Sequence, residues 1–205
     1  ILRSHYTQAD LRLQTEPVCN PLPEAIRIPP ITRPFRISRE ETRCRLEVLP
    51  EEPLVLLTTG GIRGEYTILE YLRSRPDVCF VLSGSSETSG RTRNLIHLPH
   101  QSGHHHPDLV RAADAVVGKA GYGTVAEVRA AGIPFAHVLR DNFRESPVLY
   151  SYLERHVPGF TLSAVEFACA SWLERLDELL AYQRKESRQL DGAVQAASHI
   201  VTFFE

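Results

Sequence analysis

GKAGYGTVAE, Gly118 to Glu127, follows a short apolar run at 115–117 and leads into a helix-forming run at 124–131. Its glycines let backbone N–H groups come close to an anion, and a helix start adds partial positive charge. It lacks the Gly-Lys-Ser/Thr that closes a Walker loop and the G-x-G-x-x-G spacing of a dinucleotide fingerprint. By itself it reads either as an anion grip or as a tight strand-to-helix turn with no ligand.

The flanking pattern sets the fold class. Short, mainly apolar runs recur at 54–59 (LVLLTT), 78–83 (VCFVLS), 94–98 (NLIHL), 115–117, 135–139 and 160–162. Helical patterns lie between and after them, at 65–73, 107–113, 124–131, 146–155, 163–182 and 190–204. Gly132 and Pro134 stop the third of these. Strands that are apolar throughout are buried on both faces, so they belong to a parallel sheet covered by helices. Alternation with helices predicts an α/β domain with a doubly wound, Rossmann-like sheet. Ligands of such folds bind beyond the C-terminal strand ends. That points to the loops at 60–65, 83–93, 99–106, 118–124 and 140–146.

The first 50 residues are less regular. Residues 1–13 carry a weak helical pattern. Residues 25–34 (AIRIPPITRP) read as a semi-rigid extended connector, since proline fixes its own φ and restricts its predecessor. Ser38 can cap a helix over 38–46, with Glu41 completing a capping box.

Composition narrows the class. A net charge of -2, with 42% hydrophobic and 23% charged residues, fits a globular protein without general affinity for nucleic acid or anionic membranes. No apolar run approaches the roughly 20 residues of a membrane span. Cys19, Cys44, Cys79 and Cys169 lack metal-ligand spacing, and no charged-then-apolar leader is visible, so a reduced, cytoplasmic chain is the expectation. Arginine outnumbers lysine 21 to 2, a usage typical of GC-rich, bacterial genomes. There is no methionine and the sequence begins at Ile1, which reads as part of a longer polypeptide.

Several residues can carry chemistry. Thr124 and Glu127 fit a capping box; alternatively, Glu127 accepts hydrogen bonds from ribose hydroxyls, one turn into an anion-binding helix. Gly60 and Gly61, after Thr58 and Thr59, permit close approach of a ligand or simply turn the chain. Ser83 to Ser86 forms a polar loop. His97, His100, His104, His105 and His106 crowd one span, but adjacent histidines point in different directions, so a loop beside a nucleotide base is favoured over a metal site. Asp141 and Glu145 can accept from sugar hydroxyls, and Arg140 or Arg144 can pair with phosphate. No catalytic nucleophile or base is identifiable from spacing.

The run AADAVVGKAGYGTVAEVRAAGIPFAHVLRDNFRESPVL, 112–149, resembles the donor half of GT-B-fold glycosyltransferases. It is similar to the lipid-linked N-acetylglucosaminyltransferases of peptidoglycan synthesis, and closer to the glycosyltransferase-like region of plant L-arabinokinases. The resemblance covers roughly 26–160. It implies that 31–205 form the C-terminal, nucleotide-sugar-binding domain, and that 1–30 are the end of the N-terminal acceptor domain and its connector. Carried over, Gly121, Tyr122, Gly123 and Thr124 hold the diphosphate and Glu127 holds the ribose. Asp141, Asn142 and Glu145 lie near the transferred sugar, and Gly60 and Gly61 line the cleft. No metal is expected, and the nucleotide sugar is substrate rather than cofactor. Glu145-Ser146-Pro147 stands where many members carry a Gln pair, which leaves the donor sugar open. The expected function is a nucleotide-sugar glycosyltransferase. A non-catalytic nucleotide-sugar-binding module and a nucleotide-sugar epimerase are the alternatives.

Overall fold

The computed structural model describes residues 8–58, 67–140, 143–185 and 192–205. Two compact units divide the chain: Ile1–Thr32 with Arg188–Glu205, and Arg33–Ser187.

The larger unit is built on a seven-stranded sheet. Its strands are β3 (Leu54–Thr58), β4 (Cys79–Ser86), β5 (Gly90–Thr92), β6 (Leu95–Pro99), β7 (Ala115–Lys119), β8 (Phe135–Val138) and β9 (Gly159–Leu162). Their spatial order is β5-β6-β4-β3-β7-β8-β9. All neighbours pair in parallel except β5 with β6. The helices are α1 (Arg39–Arg45), α2 (Leu69–Arg73), α3 (His106–Ala112), α4 (Tyr122–Ala131), α5 (Ser146–His156), α6 (Ala164–Cys169) and α7 (Leu176–Ala181), with a 3-10 turn at Ser171–Arg175.

Both faces of the sheet are buried, as the apolar strands require. Leu54, Leu56 and Val116 face a core shared with α3, α4 and α5. Val55, Leu57, Ala115 and Val117 face the opposite core, with Leu72, Trp172, Leu176 and Leu179. Each such large aliphatic side chain contributes about 1.5–3 kcal/mol relative to exposure. The expected doubly wound α/β sheet is therefore present.

The smaller unit holds β1 (Leu13–Thr15), β2 (Ile26–Ile28) and α8 (Gly192–Phe204). β1 and β2 pair in parallel. The Gln14 side chain accepts from the Leu22 N–H and donates to the Asn20 carbonyl, closing the loop between them. The helix expected over 1–13 is absent among its described residues, where Leu13 begins a strand instead. Part of the 25–34 connector is β2.

Other boundaries moved for identifiable reasons. The continuous helix expected over 163–182 is interrupted at Ala170, which takes a left-handed conformation at φ 60°. β5 was not foreseen: Gly-Arg-Thr has no apolar alternation, and it pairs through its backbone at a sheet edge. Ser38 caps α1 by accepting from the Glu41 N–H, but the Glu41 carboxylate pairs with Arg45.

α1 is fastened by arginines to the end of α3. Arg39 and Arg43 donate to the Ala112 carbonyl, and both contact Asp114. Asp114 also accepts from the Leu54 N–H, so one carboxylate ties α1 to the start of β3.

The sheet centre allows no side chain at Gly118. It pairs with Thr58, and a Cβ there would lie 2.0 Å from the Thr58 carbonyl oxygen. Gly118→Ala is expected to destabilise the fold by about 1–3 kcal/mol or more. The measurement is a urea unfolding curve, and an unchanged midpoint would refute this close packing.

Candidate functional site

The strand order places a crevice. After β3 the chain builds outward through β4 and β6, then returns to add β7 on the other side of β3. The sheet thus reverses direction between β3 and β7, and ligands of open α/β sheets bind beyond the C-terminal strand ends at such a point. A cleft of about 430 Å³ lies there. Its wall includes Ser83 after the apolar part of β4, His100 and His104 after β6, and Lys119, Gly121, Gly123 and Thr124 after β7.

The β7–α4 turn leaves its amides without helical acceptors. Gly121 is the N-cap residue, in extended conformation, with no side-chain cap. The first helical bond runs from the Val125 N–H to the Gly121 carbonyl at 2.9 Å. The N–H groups of Tyr122, Gly123 and Thr124 therefore precede the helical ladder, at the positive end of a ten-residue helix. A Cβ placed at Gly121 or Gly123 would meet nothing within 4 Å among the described residues. Packing against the described residues does not require these two glycines, in contrast to Gly118. Their effect is to keep the approach to the amides open.

Charge in the cleft has one dominant sign. Arg33, Lys119 and Arg140 line it, and among the described residues Glu127 is its only lining carboxylate. Glu127 is 4% exposed, and both its oxygens are engaged. Oε1 accepts from the Arg33 guanidinium at 2.8 Å, and Oε2 lies 2.7 Å from His106 Nδ1. Burial pushes the Glu127 carboxyl upward, but hydrogen bonds and charge from His106 and Arg33 outweigh it and hold it below the usual carboxylate range. Glu127 is therefore ionised at neutral pH.

The capping-box reading of Glu127 is corrected by this geometry. Thr124 is not the N-cap; Gly121 is. Glu127 lies more than a turn into α4, and its carboxylate bonds two side chains rather than a backbone amide.

The other expected residues are distributed as follows. Gly121, Gly123, Thr124 and Glu127 line one cleft, while the Tyr122 ring packs against the core. Glu145 is the half-buried N-cap residue of α5 and does not line that cleft. Gly60, Gly61, Asp141 and Asn142 lie outside the described residues. Of the histidines, His100, His104 and His106 line the cleft, with His106 against Glu127, while His97 Nδ1 meets Ser85 Oγ at 3.2 Å and His105 Nε2 meets the Pro34 carbonyl at 2.9 Å. Burial lowers the pKa of His104, with a smaller contribution from Arg45. Among the described residues no group of three or more His, Cys, Asp or Glu is placed to hold a metal ion. No helix among them is long and apolar enough to cross a membrane.

Arg33 was not foreseen. It sits in the proline-rich connector, 94 residues from Glu127, and local pattern carries no trace of such a pairing.

Comparison with known proteins supplies the family of folds. No family model matches the chain. An L-arabinokinase from Arabidopsis thaliana is 28% identical over 199 residues, covering 96% of this chain and 19% of the plant protein. Acinetobacter baumannii MurG superposes with a TM-score of 0.63 at 13% identity, covering 98% of this chain and 62% of MurG. The glycosyltransferase VinC, solved in complex with dTDP, superposes with a TM-score of 0.58 at 17% identity, covering 77% and 43%. The fold is that of the C-terminal domain of GT-B glycosyltransferases. Both resemblances read from 112–149 are thus met, one in sequence and one in structure. The chain spans less than two thirds of each of these relatives. In this GT-B domain the cleft lies where the sheet topology requires it, at the β3–β7 reversal.

The Glu127 linkage has a definite sign. Its folded pKa lies below its ordinary value of 4.5, so the stabilisation is present above that value and is lost as pH falls through the folded pKa. The stability gap between the native protein and Glu127→Gln should be large at pH 7 and shrink at pH 3. Urea denaturation at both pH values measures it; a gap independent of pH would contradict the ionised bridge.

Proposed function

We propose that this chain is the donor-binding half of a glycosyltransferase that uses a nucleoside-diphosphate sugar, acting in a reducing, cytoplasmic compartment. In this reading the donor domain lies within 31–205, its sheet in the unit Arg33–Ser187, and 1–30 belong to the acceptor side. The observation that carries it is the start of α4, which has no side-chain cap, facing a cleft whose described lining holds Arg33, Lys119, Arg140 and, more than a turn further in, the buried Glu127. A diphosphate followed by a ribose matches that order of groups.

The roles follow from the chemistry. Amides of Tyr122, Gly123 and Thr124, with the Thr124 hydroxyl, bind the diphosphate. Lys119 and Arg140 neutralise it. As the glycosidic bond to the donor breaks, negative charge grows on the departing diphosphate. The helix start and these cations stabilise that charge more in the transition state than in the bound donor. Glu127 accepts from the ribose through the lone pairs left by Arg33 and His106, since a carboxylate offers about four acceptor positions. Asp141, Asn142 and Glu145 are assigned to the sugar, and Gly60 and Gly61 to the cleft wall. The reading invokes no metal. The acceptor and its base are assigned to no residue of this chain.

The likeness to a small part of an L-arabinokinase favours a second reading, a module that binds the nucleotide sugar without transferring it. Turnover separates the two. Consumption of donor with an acceptor supports transfer, and tight binding without consumption supports the module.

Gly123 tests the diphosphate grip. Alanine there meets no atom within 4 Å among the described residues beyond its own helix and removes a helical glycine, so the fold should hold or gain about 0.5–1 kcal/mol. Affinity for UDP or GDP should nevertheless fall, while affinity for the bare nucleoside should not. An unchanged diphosphate affinity, measured by calorimetry, would remove the amides from the site.

A further inference from the structure

The donor site as read above leaves one buried contact without a role. His106 opens α3, immediately before Pro107, and bridges two elements that are distant in sequence. Its Nε2 lies 3.3 Å from Thr58 Oγ1, and its Nδ1 lies 2.7 Å from Glu127 Oε2. Thr58 ends β3, is 1% exposed, and sits in register with Gly118 of β7. Thr58 is thus held by the sheet itself. A line of polar contacts runs from the central strands, through the imidazole, to the carboxylate of α4.

We infer that His106 is a positioning residue for nucleotide recognition: it fixes the Glu127 carboxylate in the orientation that accepts from the ribose. This rests on the donor-site reading. Both ring nitrogens are engaged. Nδ1–H donates to the carboxylate, which can only accept, and Nε2 shares a hydrogen bond with the Thr58 hydroxyl.

The comparison with Arg33 decides which partner sets the orientation. Arg33 also bonds Glu127, but its side chain is 61% exposed, whereas that of His106 is 24% exposed. A long exposed side chain loses much rotamer freedom in holding one geometry, and its ion pair is screened by solvent. A short imidazole anchored at its far nitrogen to a buried hydroxyl holds position with fewer torsions. His106 therefore orients Oε2, and Arg33 supplies charge to Oε1. The glutamate, which has three side-chain torsions of its own, is left with a single arrangement. Its remaining lone pairs then face the cleft that it lines.

The test is a ligand cycle on the whole chain. Affinities are measured by calorimetry for UDP, GDP and their 2′,3′-dideoxy counterparts. The native protein should prefer the ribose form of the diphosphate it binds by at least about tenfold, as for hydrogen bonds to a charged acceptor. His106→Leu should cut that preference to about threefold or less, yet keep the preference for diphosphate over nucleoside. His106→Asn restores an N–H donor and should regain most of the ribose preference. Thr58→Val, which removes only the anchoring hydroxyl, should lower it partially and serves if the leucine variant does not fold.

A merely structural histidine would weaken ribose and dideoxy ligands alike. An undiminished ratio in His106→Leu, or in Thr58→Val if only that variant folds, overturns the inference while the donor site stands. A native protein that binds the diphosphate without any ribose preference removes Glu127 from the ribose and the inference with it. A native protein that binds neither diphosphate more tightly than millimolar overturns the donor-site reading itself, and with it this role for His106.

Discussion

Glu127 is the constraint around which the site is organised. A carboxylate that is 4% exposed is costly unless its charge is met, and here Arg33 and His106 meet it. The three partners come from the connector before α1, the start of α3 and the interior of α4. Their distances hold only if those elements sit where the sheet puts them. Removing one partner leaves a buried charge partly uncompensated, and that penalty is larger than the net worth of the intact bridge.

The sheet supplies the other half of the geometry. β3 and β7 approach so closely at Thr58 and Gly118 that a methyl group would collide with a carbonyl oxygen. That contact holds the end of β7 against β3, shortly before α4 begins. Three glycines in one short stretch thus have different physical roles. Gly118 is required by the backbone opposite it. Gly121 and Gly123 meet none of the described residues, so among those their lack of side chains matters only to something that enters the cleft. Positive charge from Arg33, Lys119 and Arg140 around those amides selects an anion as that something.

Much of this was legible in the sequence, for reasons particular to certain residues. LVLLTT and VCFVLS are apolar throughout, and only a doubly covered parallel sheet buries both faces of such strands. The α4 turn was legible as a strand-to-helix junction because glycines sit between an apolar run and a helical pattern, although that pattern alone left an anion grip and a ligand-free turn both open. Unreadable features depended on distance or on backbone alone. β5 is a polar tripeptide held by ladder bonds, and the Ala170 break requires a left-handed alanine that no propensity favours. The Arg33–Glu127–His106 bridge joins residues that share no local pattern. Thr124 and Glu127 show the converse: their spacing matched a capping box, but α4 starts three residues earlier, and tertiary partners claimed the carboxylate.

The central claim is that this cleft recognises a nucleoside diphosphate by its phosphates. Calorimetric titration of the 205-residue chain with UDP and GDP, against uridine and guanosine, tests it most directly. One diphosphate should bind more tightly than millimolar, and its nucleoside should bind at least about tenfold more weakly, the loss expected when charge-assisted hydrogen bonds are removed. Equal affinities for diphosphate and nucleoside, or no binding by either diphosphate, would contradict it.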